Sequence, residues 1–204
     1  MMKNSIVLFL SLLLAGCLSV PYSQSSRFYT FQPINETNSS ELAGSANLDG
    51  AILGIGPVTL PEYLNRPQMV TRNADNTMEF AQFDRWAEPL DTGMSRIIAK
   101  DISLLLPKVN VELFPWNSVM PIKYQVLIKV LQLDCRLGAQ AELVSQWSVI
   151  DVKNKKVLLT KRSSYKKPVL GKNYPAVVQA VSSICDSLSR DIAQDLMQLA
   201  APVS

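Results

Sequence analysis

The chain has 204 residues, 48% of them hydrophobic, with 20 Lys and Arg against 17 Asp and Glu. A net charge of +3 is too small an excess for a nucleic-acid partner, whose binding domains carry a strongly basic face. Histidine is absent, which removes Ser-His-Asp and Cys-His nucleophiles, His-based zinc sites and the usual general base near neutral pH.

Residues 1–16 read as a removable export signal. Lys3 supplies one positive charge, Ser5 to Leu14 a short apolar run, and Ala15-Gly16 small side chains ahead of Cys17. The run falls short of the roughly 20 apolar residues that cross a bilayer, so an uncleaved anchor helix is the poorer reading. Leu14-Ala15-Gly16-Cys17 matches the lipobox of bacterial lipoproteins. Small residues at 15 and 16 admit the peptidase, and the Cys17 thiol is the nucleophile that takes up diacylglycerol. Each buried acyl methylene adds about 0.8 kcal/mol, so several chains hold a protein on a membrane durably. Sorting to the inner membrane uses Asp after the cysteine; here Leu18 and Ser19 follow, which points to the periplasmic face of the outer membrane. Residues 17–26 are then the lipidated cysteine and a short uncharged tether, and 27–204 a single domain.

Arg27 to Phe31 is aromatic and β-prone and predicts a first strand. Asn35 to Asn47 reads as a loop. Ala51 to Leu60 predicts a buried strand with a bulge or bend near Gly56-Pro57. Pro61 to Pro67 turns the chain, and Gln68–Arg72 and Thr77–Phe83 predict two short strands around an Asn73–Asn76 turn. Pro89 opens a helix that Pro107 closes, with Met94, Ile98, Ile102 and Leu105 at helical spacing. Val109 to Phe114 is a strand, followed by a loop to Pro121. Lys123 to Leu137 is the longest strand candidate; its apolar phase slips by one residue near Val130, as a β-bulge or a doubly buried strand would make it do. Residues 141–149 alternate and 157–163 return, completing an antiparallel meander. Pro175 to Leu199 carries a continuous apolar stripe from Val177 to Leu199. It predicts a helix packed on the sheet of its own domain, with a coiled coil to a partner as the weaker reading. The fold class is α+β: one mixed, largely antiparallel sheet with two main helices packed on one face.

No Gly-rich phosphate loop, Cys-x-x-Cys pair or carboxylate pair stands out, so the expectation is a non-enzyme with no cofactor and no metal site. Cys135 and Cys185 both fall on core-facing positions. A disulfide and two small buried hydrophobes stay open as readings, since connectivity does not follow from spacing.

Several segments, in order, carry a family likeness: Gly56-Pro57-Val58-Thr59-Leu60-Pro61-Glu62-Tyr63-Leu64, Arg66-Pro67-Gln68-Met69-Val70-Thr71-Arg72, Trp86-Ala87-Glu88-Pro89-Leu90, Phe114-Pro115-Trp116, the meander with Trp147, and Leu188-Ser189-Arg190-Asp191-Ile192-Ala193. Through them the chain resembles the PqiC/YmbA family of outer-membrane lipoproteins, auxiliary components of ABC-type transport systems. It departs at Cys135, where a small or polar residue is expected. The resemblance implies an inner-membrane component and a periplasmic MCE-domain protein as partners, lipid movement between membranes in support of envelope integrity, and a ring of identical subunits. It carries over no catalytic residue; the implied task is docking.

Three positions are candidate partner contacts, because Trp, Tyr and Arg are enriched at interface hot spots: Tyr63 with Arg66, Trp86, and Trp116. For Trp86 a packing role is the stronger reading, and for Trp116 interface and core stand level. The basic stretch from Lys153 to Lys167 reads first as a solvated strand face and second as a contact for anionic headgroups or an acidic partner. A docking subunit, a lipid-binding shuttle with its own apolar cavity, and a carboxylate hydrolase are the functional alternatives.

Overall fold

The computed structural model describes residues 24–34 and 48–200; the signal, Cys17, most of the tether and the Asn35–Asn47 loop lie outside the described residues. The described chain forms strands β1 (Arg27–Tyr29), β2 (Ile52–Thr59), β3 (Gln68–Arg72), β4 (Met78–Trp86), β5 (Asn110–Leu113), β6 (Tyr124–Cys135), β7 (Gln140–Asp151) and β8 (Lys156–Pro168). Two helices accompany them, α1 (Leu90–Leu105) and α2 (Tyr174–Leu199).

The α+β class is as expected, but the strands divide into two sheets instead of one. Five run in the order β5-β2-β6-β7-β8 and three in the order β1-β4-β3. The division follows from β2. It pairs in parallel with β5 on one side and β6 on the other, so neither of its edges is free for the β3–β4 hairpin. That hairpin instead takes β1, in parallel, along the other edge of β4. The long β6–β7 and β7–β8 ladders are antiparallel.

Across β6 and β7, Val126 faces Val149, Ile128 faces Trp147, Leu133 faces Leu143 and Cys135 faces Ala141. All eight are buried. Pairing shifts between Val130 and Gln132, leaving Leu131 as the extra residue. This bulge turns a broken alternation into one continuous apolar face. A second shift in β2 spans Gly56, whose φ of 107° suits glycine, and Pro57.

Pro89 stands at the N-cap of α1, and the helix stops short of Pro107. Asn173 caps α2, its side chain accepting the Ala176 N–H at 2.9 Å. The two helices pack on each other, α1 over β2 and β5 and α2 over β7 and β8. The stripe of Val177, Val181, Ile184, Leu188, Ile192 and Leu196 is therefore spent inside the domain. Strand β8 runs to Pro168, five residues beyond expectation. Its extension is polar and held by particular bonds: Tyr165 donates to Asp191 at 2.7 Å, while Ser163, at the end of the expected strand, accepts the Trp147 indole N–H at 3.2 Å. β8 is an outer strand of its sheet, so one of its edges is unpaired among the described residues.

Residues 31–34 lie across the helix pair. Ser182 Oγ accepts the Gln32 N–H at 3.1 Å, and the buried Asp101 carboxylate accepts the Ile34 N–H at 3.0 Å. Burial pushes the Asp101 carboxyl up to about 6, with Asp186 adding to the rise and the bond from Ile34 opposing it. A carboxyl raised on folding holds its proton more tightly in the native state than in the unfolded chain. Its stabilising contribution is thus complete below the unfolded value and falls as pH rises through the native one. Asp101→Asn is expected to abolish this trend: relative to the variant, wild type loses up to about 3 kcal/mol of unfolding free energy as pH rises from about 4 to above 6. Urea unfolding of both proteins across that window checks it, and parallel pH profiles would contradict it.

Candidate functional site

The sequence-derived contact residues fall on separate elements. Tyr63 sits in a short 3-10 turn, Glu62–Leu64, after β2. Its hydroxyl accepts the Leu133 N–H at 3.1 Å, pinning this turn to β6, and burial raises the phenol above its ordinary value. Arg66 places its guanidinium 4.0 Å above the exposed Phe80 ring on β4. Trp86 is 7% exposed and stacks on Phe31 at 4.8 Å, so it packs the core and offers no surface to a partner.

Trp116 is partly taken up by the domain. Its ring is half-buried and lies on β2, against Gly54 and Ile122. A Cβ at Gly54 would come 2.6 Å from the indole, so the close approach requires glycine. Phe114 meets Trp116 edge to face, with centroids 5.5 Å apart. Around this pair the loop turns apolar side chains outward: Phe114 is 48% and Val119 78% exposed, and Leu113 at the end of β5 is exposed as well. The loop is tied down locally. Asn117 Oδ1 accepts the Val119 N–H at 3.1 Å, and the Asn117 carbonyl accepts the Met120 N–H at 2.9 Å. The Phe114 N–H donates to Ile55 O at 3.0 Å. An exposed apolar cluster on a bonded loop needs little ordering on contact, which favours binding. Phe114 and Val119 were not among the contact residues read from sequence. The available signal was an uncharged, apolar stretch from Leu113 to Pro121.

The basic stretch is partly consumed within the domain: Lys161 pairs with Asp195 at 3.0 Å and Lys166 with Glu142 at 3.2 Å. Lys153, Lys155 and Lys156 stay exposed at the β7–β8 turn. Cys135 and Cys185 are free, buried thiols and not a bridge in this structure. Burial pushes the Cys135 thiol up to about 12 and the Cys185 thiol upward as well, so both act as small hydrophobes. Among the described residues no group of three or more acidic or cysteine side chains is placed to hold a metal ion. No helix among them is long and apolar enough to cross a membrane.

The fold and this surface define a small α+β domain with an exposed apolar loop beside a sheet edge. Residues 29–193 match the family described as ABC-type transport auxiliary lipoprotein component, and the chain belongs to that family. It is 24% identical to the intermembrane transport lipoprotein PqiC of Escherichia coli (strain K12), over 97% of this chain and all of that one. The PqiC of Shigella flexneri matches to the same extent. A crystal structure of an uncharacterized protein shares the fold with a TM-score of 0.68 at 17% identity, over 85% of this chain and 99% of that one. Protein XCC0632 from Xanthomonas campestris does so with a TM-score of 0.66 at 10% identity, over 85% of this chain and 96% of that one.

Gly54→Ala is expected to lift the Trp116 ring off β2 at a cost of about 1–3 kcal/mol. Because Trp86 and Trp147 are buried, a red shift in tryptophan emission reports on Trp116. Unchanged emission and stability would show that the ring does not need the missing methyl.

Proposed function

We propose that the chain is a lipoprotein anchored through Cys17 to the periplasmic face of the outer membrane, where it serves as a non-catalytic docking subunit of an ABC-type, MCE-containing lipid-transport system. In this reading it receives a periplasmic MCE-domain protein linked to an inner-membrane component, works as a homo-oligomer, and supports envelope integrity. Membership of the transport auxiliary family and the PqiC likeness support this role. The observation that carries it is that one loop with bonded backbone exposes both Phe114, packed edge to face on the half-buried Trp116, and Val119. Isolated exposed hydrophobes are ordinary, but a group of them on one ordered loop suits a protein partner.

A lipid shuttle would need an apolar cavity of its own. The hollow bounded by Leu48, Leu53, Leu106, Val109, Tyr124 and Leu196 leaves no room for even a water-sized molecule. It cannot hold an acyl chain, and the groove of about 580 Å³ beside Phe28 and Leu170 is an open surface and not an enclosed cavity, which favours docking.

Crosslinking from intact membranes, followed by mass-spectrometric identification, is expected to recover an MCE-domain protein. Recovery of porins or lipopolysaccharide-assembly proteins alone would overturn the reading. The double variant Phe114→Asp, Val119→Asp is expected to lower the crosslinked yield at least about tenfold, while stability changes by no more than about 1 kcal/mol for such exposed positions. Undiminished crosslinking would move the contact elsewhere.

A further inference from the structure

A second exposed apolar surface lies far from the Trp116 loop, where the chain first joins the domain. Phe28 on β1 is 64% exposed and Leu170, between β8 and α2, is 80% exposed. Both line one groove of about 580 Å³, together with Thr30, Pro175, Val178 and Gln179. Lysine and arginine flank it. The Lys172 stem lies against Gly138 in the β6–β7 turn, and the Gly138 N–H donates to Gly171 O at 2.9 Å. This bond brings exposed Arg136 and Lys172 to the same end of the molecule; the acids that share a hollow with Arg136, Asp134 and Glu142, are already paired with Arg72 and Lys166.

Only nine residues lie between Cys17 and Arg27, a reach of at most about 35 Å even when fully extended. On the anchored reading given above, this end is the first to meet the bilayer. We infer that Phe28 and Leu170 dip into the headgroup–acyl boundary of the anchoring membrane, while Lys172 and Arg136 face its anionic headgroups, so that this end of the domain rests on the lipid surface. Magnitudes fix what the contact does. Two apolar side chains and two cations near an anionic surface hold far more weakly than several buried acyl chains. That is too little to replace acyl chains but enough to orient a domain they already hold. The basic β7–β8 turn then points away, because β7 separates it from the β6–β7 turn by roughly 35–40 Å.

The test uses the full mature lipoprotein in vesicles of phosphatidylethanolamine and phosphatidylglycerol. Variants that each add one exposed thiol, Phe28→Cys, Leu170→Cys and, as control at the far end of β8, Val157→Cys, are labelled with a nitroxide. Cys135 and Cys185 are buried, so the introduced thiols take the label. Flotation of the unlabelled protein with the vesicles is measured alongside. The expected result is that all proteins float, and that labels at 28 and 170 are several-fold less accessible to an aqueous nickel chelate than the label at 157. Floating protein with equal accessibility at all three sites would overturn the inference and leave the anchor intact. Protein that does not float would overturn the anchor reading, and this proposal with it.

Discussion

Ile128 beside Trp147, with Val126 and Val149 on one side and Leu133 and Leu143 on the other, forms an apolar strip across β6 and β7 that water cannot be left to cover. Each such side chain is worth about 1.5–3 kcal/mol when fully buried, so roofing the strip governs where everything else goes. Helix α2 supplies the roof with residues spaced at helical intervals, and α1 extends it over β2. Trp147 also brings an indole N–H into the core, which Ser163 accepts from the next strand. A mispaired β8 would leave that donor unmet, so this bond helps fix the β7–β8 register.

Once the helices are in place, a few polar groups decide how the N-terminal segment approaches the domain. Ser182 and Asp101 each accept a backbone N–H from residues 31–34. Phe31 fills the space between Trp86 and Gly93, where an added Cβ would come 3.0 Å from its ring. Backbone that would otherwise run free is therefore anchored to both helices. The place where the tether leaves the domain is set by the core itself, not by a loose strand. On the anchored reading proposed above, orientation on a membrane and stability of the fold draw on the same contacts.

Local features were legible in the sequence, and non-local ones were not. The proline-bounded α1, the slip near Val130 and the irregularity at Gly56-Pro57 each leave a mark within a few residues. The split into two sheets depends on which strands flank β2, partners some fifty or more residues away that no window contains. The end of β8 was missed because Ser164, Lys166 and Lys167 look like loop, although ladder bonds to β7 hold them in strand. In the site, Trp116 was legible as a residue between prolines. Phe114 and Val119 were not, because a hydrophobic side chain announces its type and not its direction. Trp86 shows the converse: a residue suited to an interface is taken up by the core once Phe31 stacks on it.

The free side of β8 sets how neighbouring copies can behave. On the anchored reading proposed above, copies held in one leaflet meet in two dimensions, at crowding that a freely diffusing solute would not reach, and in similar postures. A bare strand edge thirteen residues long would, in an apolar protein, zip such neighbours into a growing ribbon. Here Lys156, Arg162 and Lys167 punctuate that strand, beside Lys161 and Lys166, which are paired within the domain. Their like charges make chance edge-on encounters repulsive and brief, so lasting lateral association is left to surfaces shaped for it.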